Sequence, residues 1–306
     1  MNLLSLDLSK ILVAVDGSED SDYALNIAIK IGKQNSSVVD LIHVQIVSSD
    51  VAVRVAAADP IIGASASMII PNPAMEENRA SSNEYTDTVL ANRLSVVREN
   101  GLSGSGIVVR SIDVAGEILK LANSGAYSLI VLGSRGLSGL KSLLLGSVST
   151  KVAKEAKCAV LVMKTKIEGI PKIVLGYDGS DESKKAFEFA CNLGRKFDAT
   201  VDVVSVMNIP LSPEGFIGSD IERWDKELRQ NVDSVVDKLH SFGVRSQGKV
   251  VSHTNVSRAL ADQAEKGLYD MIVVGNRGLG RLKSLLLGSV ASGLANSSKT
   301  NILIVR

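Results

Sequence analysis

Cysteine is scarce in this sequence, since only Cys158 and Cys191 occur among its 306 residues. Two cysteines cannot build a disulfide framework, and neither has a C-x-x-C or Cys/His zinc spacing. A reducing compartment is the better fit. The chain also lacks an apolar run near the roughly 20 residues of a membrane helix. Its first residues, MNLLSLDLSK, lack the features of a signal peptide. We therefore expect a cytoplasmic protein without a membrane partner.

An excess of charge of either sign is missing as well, because 34 basic residues stand against 33 acidic ones. A dedicated nucleic-acid-binding protein would carry a basic excess, so no nucleic-acid partner is expected. Histidine is rare, and His43, His240 and His253 lie far apart without the spacing of metal ligands. No metal site is therefore predicted from the side chains.

What the chain does contain is an internal repeat. Residues 11–19, ILVAVDGSE, return as IVLGYDGSD at 173–181. Residues 133–148, GSRGLSGLKSLLLGSV, return at 275–290 with thirteen of sixteen positions identical. The period is that of a domain and not of a solenoid. We therefore interpret the chain as a tandem duplication, in keeping with a length about twice that of one domain.

The repeat also gives the domain boundaries. A short linker near 164–171 separates domain 1, residues 1–165, from domain 2, residues 171–306. The offset between the copies falls from 162 to 142 along the chain, so the first copy has about twenty extra residues. We place this insertion around 48–75, where the sequence is apolar, nearly uncharged and contains three prolines. It is interpreted as a loop near the crevice or, alternatively, as a lid over the first site or a partner contact.

Both copies have the same order of predicted elements. Apolar, β-branched segments alternate with helical patterns, starting with strands at 11–15 and 173–177. This alternation predicts an α/β fold with a parallel sheet and helices on both of its faces. Ligands of such sheets bind outside the carboxyl ends of the strands. The DGS turn after strand one and the glycines after strand four should therefore face the same crevice.

The glycine motif has the form G-x2-G-x9-G-S and consists of Gly133, Gly136, Gly146 and Ser147 in the first copy. Glycine lets the backbone approach a ligand closely. The start of the following helix offers N–H groups and a partial positive charge, which favour phosphate. A lone G-x-x-G is usually only a turn, and a lone Asp-Gly-Ser is usually a helix cap. The near-identity of both copies and the upstream aspartate favour phosphate or nucleotide binding.

In the order and spacing of VAVDGS, LIHV and the glycine motif, the whole chain resembles a tandem universal stress protein. This resemblance implies two repeated domains of Rossmann-like, flavodoxin-like topology. Each would be a five-stranded parallel sheet of order 3-2-1-4-5. The resemblance further implies that the protein binds ATP or AMP, with Mg²⁺ as an optional companion ion.

The resemblance also implies roles for individual residues. In the first copy, Ala14 and Val44 would border adenine, and Asp16 and Gly133 would contact the ribose. The phosphates would lie against Arg135, Gly136, Gly146, Ser147, Val148 and Ser149. The matching residues of the second copy are Gly176, Asp178, Val206, Gly275, Arg277, Gly278, Gly288, Ser289 and Val290. Three nearby positions differ between the copies: Val15/Tyr177, Ser134/Asn276 and Ser149/Ala291.

The expected function is that of a stress-response regulator in which nucleotide occupancy changes shape or partner choice without turnover. A slow ATPase or an autophosphorylating enzyme is an alternative, with Ser134, Ser138, Ser147 or Ser149 as acceptors. Hydrolysis would be slow, because Asp16 is better placed for the ribose than for a general base. Phosphate release over hours, compared with a Gly146→Val variant, distinguishes these two. An adenylate sensor and a scaffold without ligand are further alternatives.

The final strands, AVLVMK and NILIVR, predict how the copies associate. An uncovered apolar edge strand invites pairing, so the copies should form an intramolecular pseudo-dimer through these two strands. Two chains could associate further into a homodimer. The sequence does not identify a protein partner.

Overall fold

The structure is a computed structural model, and the residues that it describes are 7–46, 88–136, 145–208, 218–279 and 287–306. The insertion around 48–75, with the lid or partner contact considered for it, lies outside these residues. Ser138 lies outside them as well.

Strands and helices alternate through both halves of the chain. The first half contains β1 (Lys10–Ala14), α1 (Glu19–Asn35), β2 (Val38–Ile46), α2 (88–99), β3 (Gly106–Ser111), α3 (Val114–Ser124), β4 (Leu129–Gly133), α4 (Ser147–Glu155) and β5 (Ala159–Met163). The second half contains β6 (Lys172–Gly176), α5 (Asp181–Phe197), β7 (Thr200–Asn208), α6 (Gly218–Ser241), β8 (Gly248–His253), α7 (Val256–Lys266), β9 (Met271–Gly275), α8 (Ser289–Ser297) and β10 (Asn301–Val305).

The strands form one sheet of order β3-β2-β1-β4-β5-β10-β9-β6-β7-β8. Within each half the strands are parallel, so each half has the order third, second, first, fourth and fifth strand. The halves meet where β5 pairs antiparallel with β10, with Leu161 opposite Leu303. Both strands are buried along their whole length, because each half covers the apolar edge strand of the other.

Helices cover both faces of the sheet, and alternate strand residues pack against them. In β1, Ile11 and Val13 belong to a core cluster with residues of α1, whereas Leu12 belongs to a second cluster with residues of α3. Burial of each such side chain contributes about 1.5–3 kcal/mol relative to exposure. The prediction of two repeated α/β domains with helices on both faces is confirmed.

A buried carboxylate anchors the end of the sheet opposite to the strands' carboxyl ends. Asp40 accepts hydrogen bonds from the Tyr127 hydroxyl at 2.8 Å and from the Ser105 hydroxyl and N–H, both at 2.7 Å. The Lys10 ammonium lies 3.7 Å from the Asp40 carboxylate. Burial by itself would raise the pKa of Asp40, but the hydrogen bonds from Ser105 and Tyr127 leave it below its ordinary value.

Tyr127→Phe is expected to destabilise the fold by about 1–2 kcal/mol at pH 7, because Asp40 loses a donor to its charged form. A folded-state pKa below the unfolded value gives stability that is present above about pH 4 and lost as the pH falls through the folded value. The cost of the substitution should therefore shrink toward pH 3. Urea unfolding at both pH values measures it. Tyr23→Phe, which removes an exposed hydroxyl that donates to Glu19, is the control. An equal cost at both pH values would contradict this account.

Candidate functional site

The second half encloses a cavity of about 450 Å³ at the carboxyl ends of its strands. All nine residues that the sequence singled out in the second copy line this cavity: Gly176, Asp178, Val206, Gly275, Arg277, Gly278, Gly288, Ser289 and Val290. The structure therefore brings together the turn after β6, the end of β7 and the glycine motif after β9. Tyr177 and Ala291, two of the nearby positions that differ between the copies, also line it. The sequence reasoning missed the other lining residues: Ser183, Val204, Asn208, Val256, Leu260, Val274 and Leu279.

The aspartate after the first strand of each half touches the glycine motif. Asp178 Oδ2 accepts a hydrogen bond from the Leu279 N–H at 3.1 Å. A Cβ atom added to Gly278 would lie only 2.4 Å from the same oxygen, and one added to Gly136 would lie 2.6 Å from Asp16 Oδ2. The motif needs its second glycine in both halves because a larger residue would collide with this carboxylate.

The DGS turn orients that carboxylate and also begins a helix. Asp16 Oδ1 accepts hydrogen bonds from the N–H and the hydroxyl of Ser18, at 2.9 and 2.5 Å. Ser18 in turn caps α1 by accepting from the Ser21 N–H. Asp178 and Ser180 repeat this arrangement at α5. The serine is thus the helix cap, and one carboxylate oxygen of each aspartate stays directed toward the glycine motif.

The last glycine of each motif closes a loop at a helix start. The Gly146 N–H donates to the Ser134 carbonyl at 2.8 Å, and the Gly288 N–H donates to the Asn276 carbonyl at 2.7 Å. Both glycines are extended and supply no capping side chain to α4 or α8. The N–H groups of the first helical turn are therefore left for an external acceptor, and the helix dipole favours an anion there.

Ser149 holds the motif loop through its hydroxyl. The side chain is buried, and its hydroxyl donates to the Ser134 carbonyl at 2.8 Å and to the Gly146 carbonyl at 3.1 Å. Ser147, by contrast, is exposed at the helix start. The replacement of Ser149 by Ala291 in the second half therefore removes a hydrogen bond within the loop.

The remaining first-half residues lie at the same edge of the sheet. Ala14 ends β1, Gly133 ends β4, and Val44 lies two residues beyond Ile42, the partner of Ala14 in β2. Ala14 and Val44 both pack on the core cluster that covers this face. Val148 follows Ser147 in the first turn of α4 and packs against the same core cluster.

Asp20 was missed by the sequence reasoning. Its buried carboxylate accepts from the Ser134 hydroxyl at 2.8 Å, from the Arg135 N–H at 3.2 Å and from Arg135 Nε at 3.3 Å. Asp20 therefore fixes the arginine that follows β4. The second copy has Glu182 and Asn276 at the places of Asp20 and Ser134, and this paired difference is the only trace of the contact in the sequence.

Histidine serves a structural purpose beside the first-half site. His43 Nδ1 donates to the Val15 carbonyl at 2.8 Å. At the matching place of the second half, the Ser205 hydroxyl donates to the Tyr177 carbonyl. Within the described ranges, no group of three or more His, Cys, Asp or Glu residues could hold a metal ion. In the same ranges, no helix is both long enough and apolar enough to cross a membrane.

Comparisons with known proteins identify the family of both halves. Residues 8–164 and 169–306 each match the Universal stress protein family. A universal stress protein of Mycolicibacterium smegmatis is 28% identical over 312 residues, which cover 97% of this chain and 96% of the relative. Universal stress protein YxiE of Bacillus subtilis is 33% identical over 156 residues, 51% of this chain and 99% of the relative. The crystal structure of a universal stress protein from Archaeoglobus fulgidus covers 100% of this chain and 98% of that chain, with a TM-score of 0.67 and 20% identity.

Proposed function

The chain belongs to the universal stress protein family, and from this premise we propose that it binds an adenine nucleotide, ATP or AMP, in each repeat. One site would lie in each of the domains predicted over 1–165 and 171–306. Occupancy would regulate the protein in a stress response by changing its shape or its choice of partner. The proposal includes a cytoplasmic location and is compatible with a homodimer of two chains. The observation that carries it is the cavity of the second half, which joins an aspartate, an apolar wall and an uncapped helix start.

The phosphates would bind at the start of α8. Gly288, Ser289 and Val290 line the cavity there, and the backbone N–H groups of Ser289 and Val290 open the helix. Arg277 lines the same cavity and adds a positive charge. An anion gains both from the N–H donors and from the helix dipole, so a phosphate chain is the ligand group that this end favours.

The ribose and the base would occupy the rest of the cavity. Asp178 keeps one carboxylate oxygen toward the motif, where it can accept a hydrogen bond from a ribose hydroxyl. Val206, Leu260 and Val274 form an apolar wall that suits a flat purine. Cavities of about 300–1,000 Å³ with apolar walls and a few polar groups are typical of small-molecule sites, and this one is within that range.

The identity of the ligand is tested by denaturing freshly purified protein and determining the mass and amount of any released nucleotide. Two adenine nucleotides per chain are expected, one for each repeat. The number of phosphates on them distinguishes triphosphate binding from AMP sensing. Protein that releases none is then titrated with ATP and with AMP by calorimetry. An absence of binding in that titration would overturn the proposal.

A further inference from the structure

Each repeat extends one cationic side chain across the junction to the other repeat. Lys164 directly follows β5, and Arg306 directly follows β10, so the two residues occupy the same place in the two copies. Because β5 and β10 are antiparallel neighbours, each cation reaches the last helix of the other repeat. Lys164 contacts α8, and Arg306 contacts α4.

The Lys164 ammonium closes the carboxyl end of α8. It donates to three carbonyl oxygens: Leu294 at 3.5 Å, Ala295 at 2.6 Å and Ser298 at 2.6 Å. The last carbonyls of a helix have no partner within it, and its carboxyl end carries a partial negative charge. A partly buried ammonium at this place therefore satisfies acceptors and also complements the helix dipole.

Arg306 makes the corresponding contact in the other direction. One of its Nη atoms donates to the carbonyl oxygen of Ala153, in the last turn of α4. The two helices also pack across the junction. Ala153 of α4 lies in the core cluster of the second repeat, and Ala295 of α8 lies in a core cluster of the first. Each last helix is thus fixed by residues of the opposite repeat.

The same two helices form the phosphate ends of the candidate sites. α4 begins at Ser147 and α8 begins at Ser289, directly after the last glycine of each motif. Each helix has nine residues, about 13 Å from end to end. A short helix moves as a rigid unit, so a contact that fixes its carboxyl end also fixes the N–H groups at its start.

The charge of each site's own arginine also acts on the capping cation of the same repeat. Burial and the charge of Arg135 lower the pKa of Lys164 to about 8. Burial lowers the pKa of Arg306, and the charge of Arg277 contributes in the same direction. The cap on one site's helix therefore lies within electrostatic range of the other site.

We propose that Lys164 is a positioning residue for the second nucleotide site and Arg306 for the first. Each cation holds the phosphate-binding helix of the opposite repeat, so neither site is complete without the other half of the chain. This inference rests on the proposed function, because it assigns the two cations to the sites that the nucleotide would occupy.

The test measures ATP affinity at one site at a time in the full chain. Gly146→Val isolates the second site, and Gly288→Val isolates the first. Adding Lys164→Met should weaken ATP binding about tenfold at the isolated second site and less than about twofold at the isolated first site. Arg306→Met should do the reverse. This crossed pattern distinguishes positioning from a general loss of stability.

Two controls accompany the test. Lys166→Met removes an exposed cation that pairs with Glu168, and it should leave both affinities unchanged. Lys164→Arg should restore binding at the second site, because arginine performs this task in the other repeat. If Lys164→Met does not fold, Lys164→Gln keeps a donor without the charge and replaces it in the comparison.

The outcomes separate the two proposals. Suppose that the unmodified chain binds ATP. The positioning inference is then wrong if each variant weakens the site of its own repeat, if it weakens both sites equally or if it weakens neither. The proposed function survives in all three cases. If the unmodified chain binds no ATP, the proposed function fails and the inference falls with it.

Discussion

Gly288→Val is expected to remove nucleotide binding from the second site and to reduce the stoichiometry from two ATP molecules per chain to one. A Cβ atom at this position would lie 3.1 Å from both Arg277 Cα and the Asn276 carbonyl oxygen. Relief of this contact would move the Asn276 carbonyl, which accepts the hydrogen bond from the Gly288 N–H. The remaining valine methyl groups would displace the N–H groups at the helix start. The affinity should fall roughly a hundredfold or more at this site.

Isothermal titration calorimetry with ATP gives both the number of sites and their affinities. Gly146→Val is the matched change in the first repeat, where a Cβ atom would lie 3.3 Å from the Ser134 carbonyl oxygen. It should also leave one site per chain, and the double variant should leave none. Gly169→Val serves as control, because a Cβ there meets only Pro171 Cδ at 3.7 Å, an ordinary contact. Two full-affinity sites in Gly288→Val would show that α8 does not hold phosphate.

Gly104→Ala is expected to destabilise the first repeat by about 3 kcal/mol or more. A Cβ atom at Gly104 would lie 1.9 Å from the Val39 carbonyl oxygen and 2.8 Å from its carbon. The residues on either side of Gly104 accept hydrogen bonds from β2, from the Val39 N–H to Ser103 and from the Leu41 N–H to Ser105, both at 2.8 Å. Relief of the collision would separate the start of β3 from β2 and lengthen these bonds.

Urea unfolding at pH 7 measures this loss, and the other repeat supplies the control. Ser246 occupies the place of Gly104 in the second copy. Its hydroxyl is buried and has no hydrogen-bond partner among the residues that the structure describes. Ser246→Ala should therefore be neutral or stabilise by up to about 1 kcal/mol. If Gly104→Ala proves as mild as Ser246→Ala, the tight approach of the backbone to Val39 is wrong.

The sequence by itself determined the α/β class, the duplication and, in the second half, the position of the motif residues around one cavity. Strands such as Leu129–Gly133 are apolar without alternation, and only a sheet covered on both faces buries them in this way. The carboxyl ends of parallel strands meet at one edge of the sheet, so Asp178 and Gly278 had to approach each other once the fold was known. Local patterns were sufficient because both features depend on periodicity and strand direction.

The tertiary structure alone decided which side chains hold the sites in place. Asp20 accepts hydrogen bonds from Ser134 and Arg135, which lie 114 and 115 residues away along the chain. No local pattern indicates such a contact. The hydroxyl of Ser149, which the resemblance assigned to phosphate, is bonded within its own loop. In the sequence, Lys164 is only a polar residue at the end of a strand. The antiparallel pairing of β5 with β10 places its ammonium against the carboxyl end of α8. These contacts depend on how distant segments are packed, and the order of residues along one strand or helix does not encode that packing.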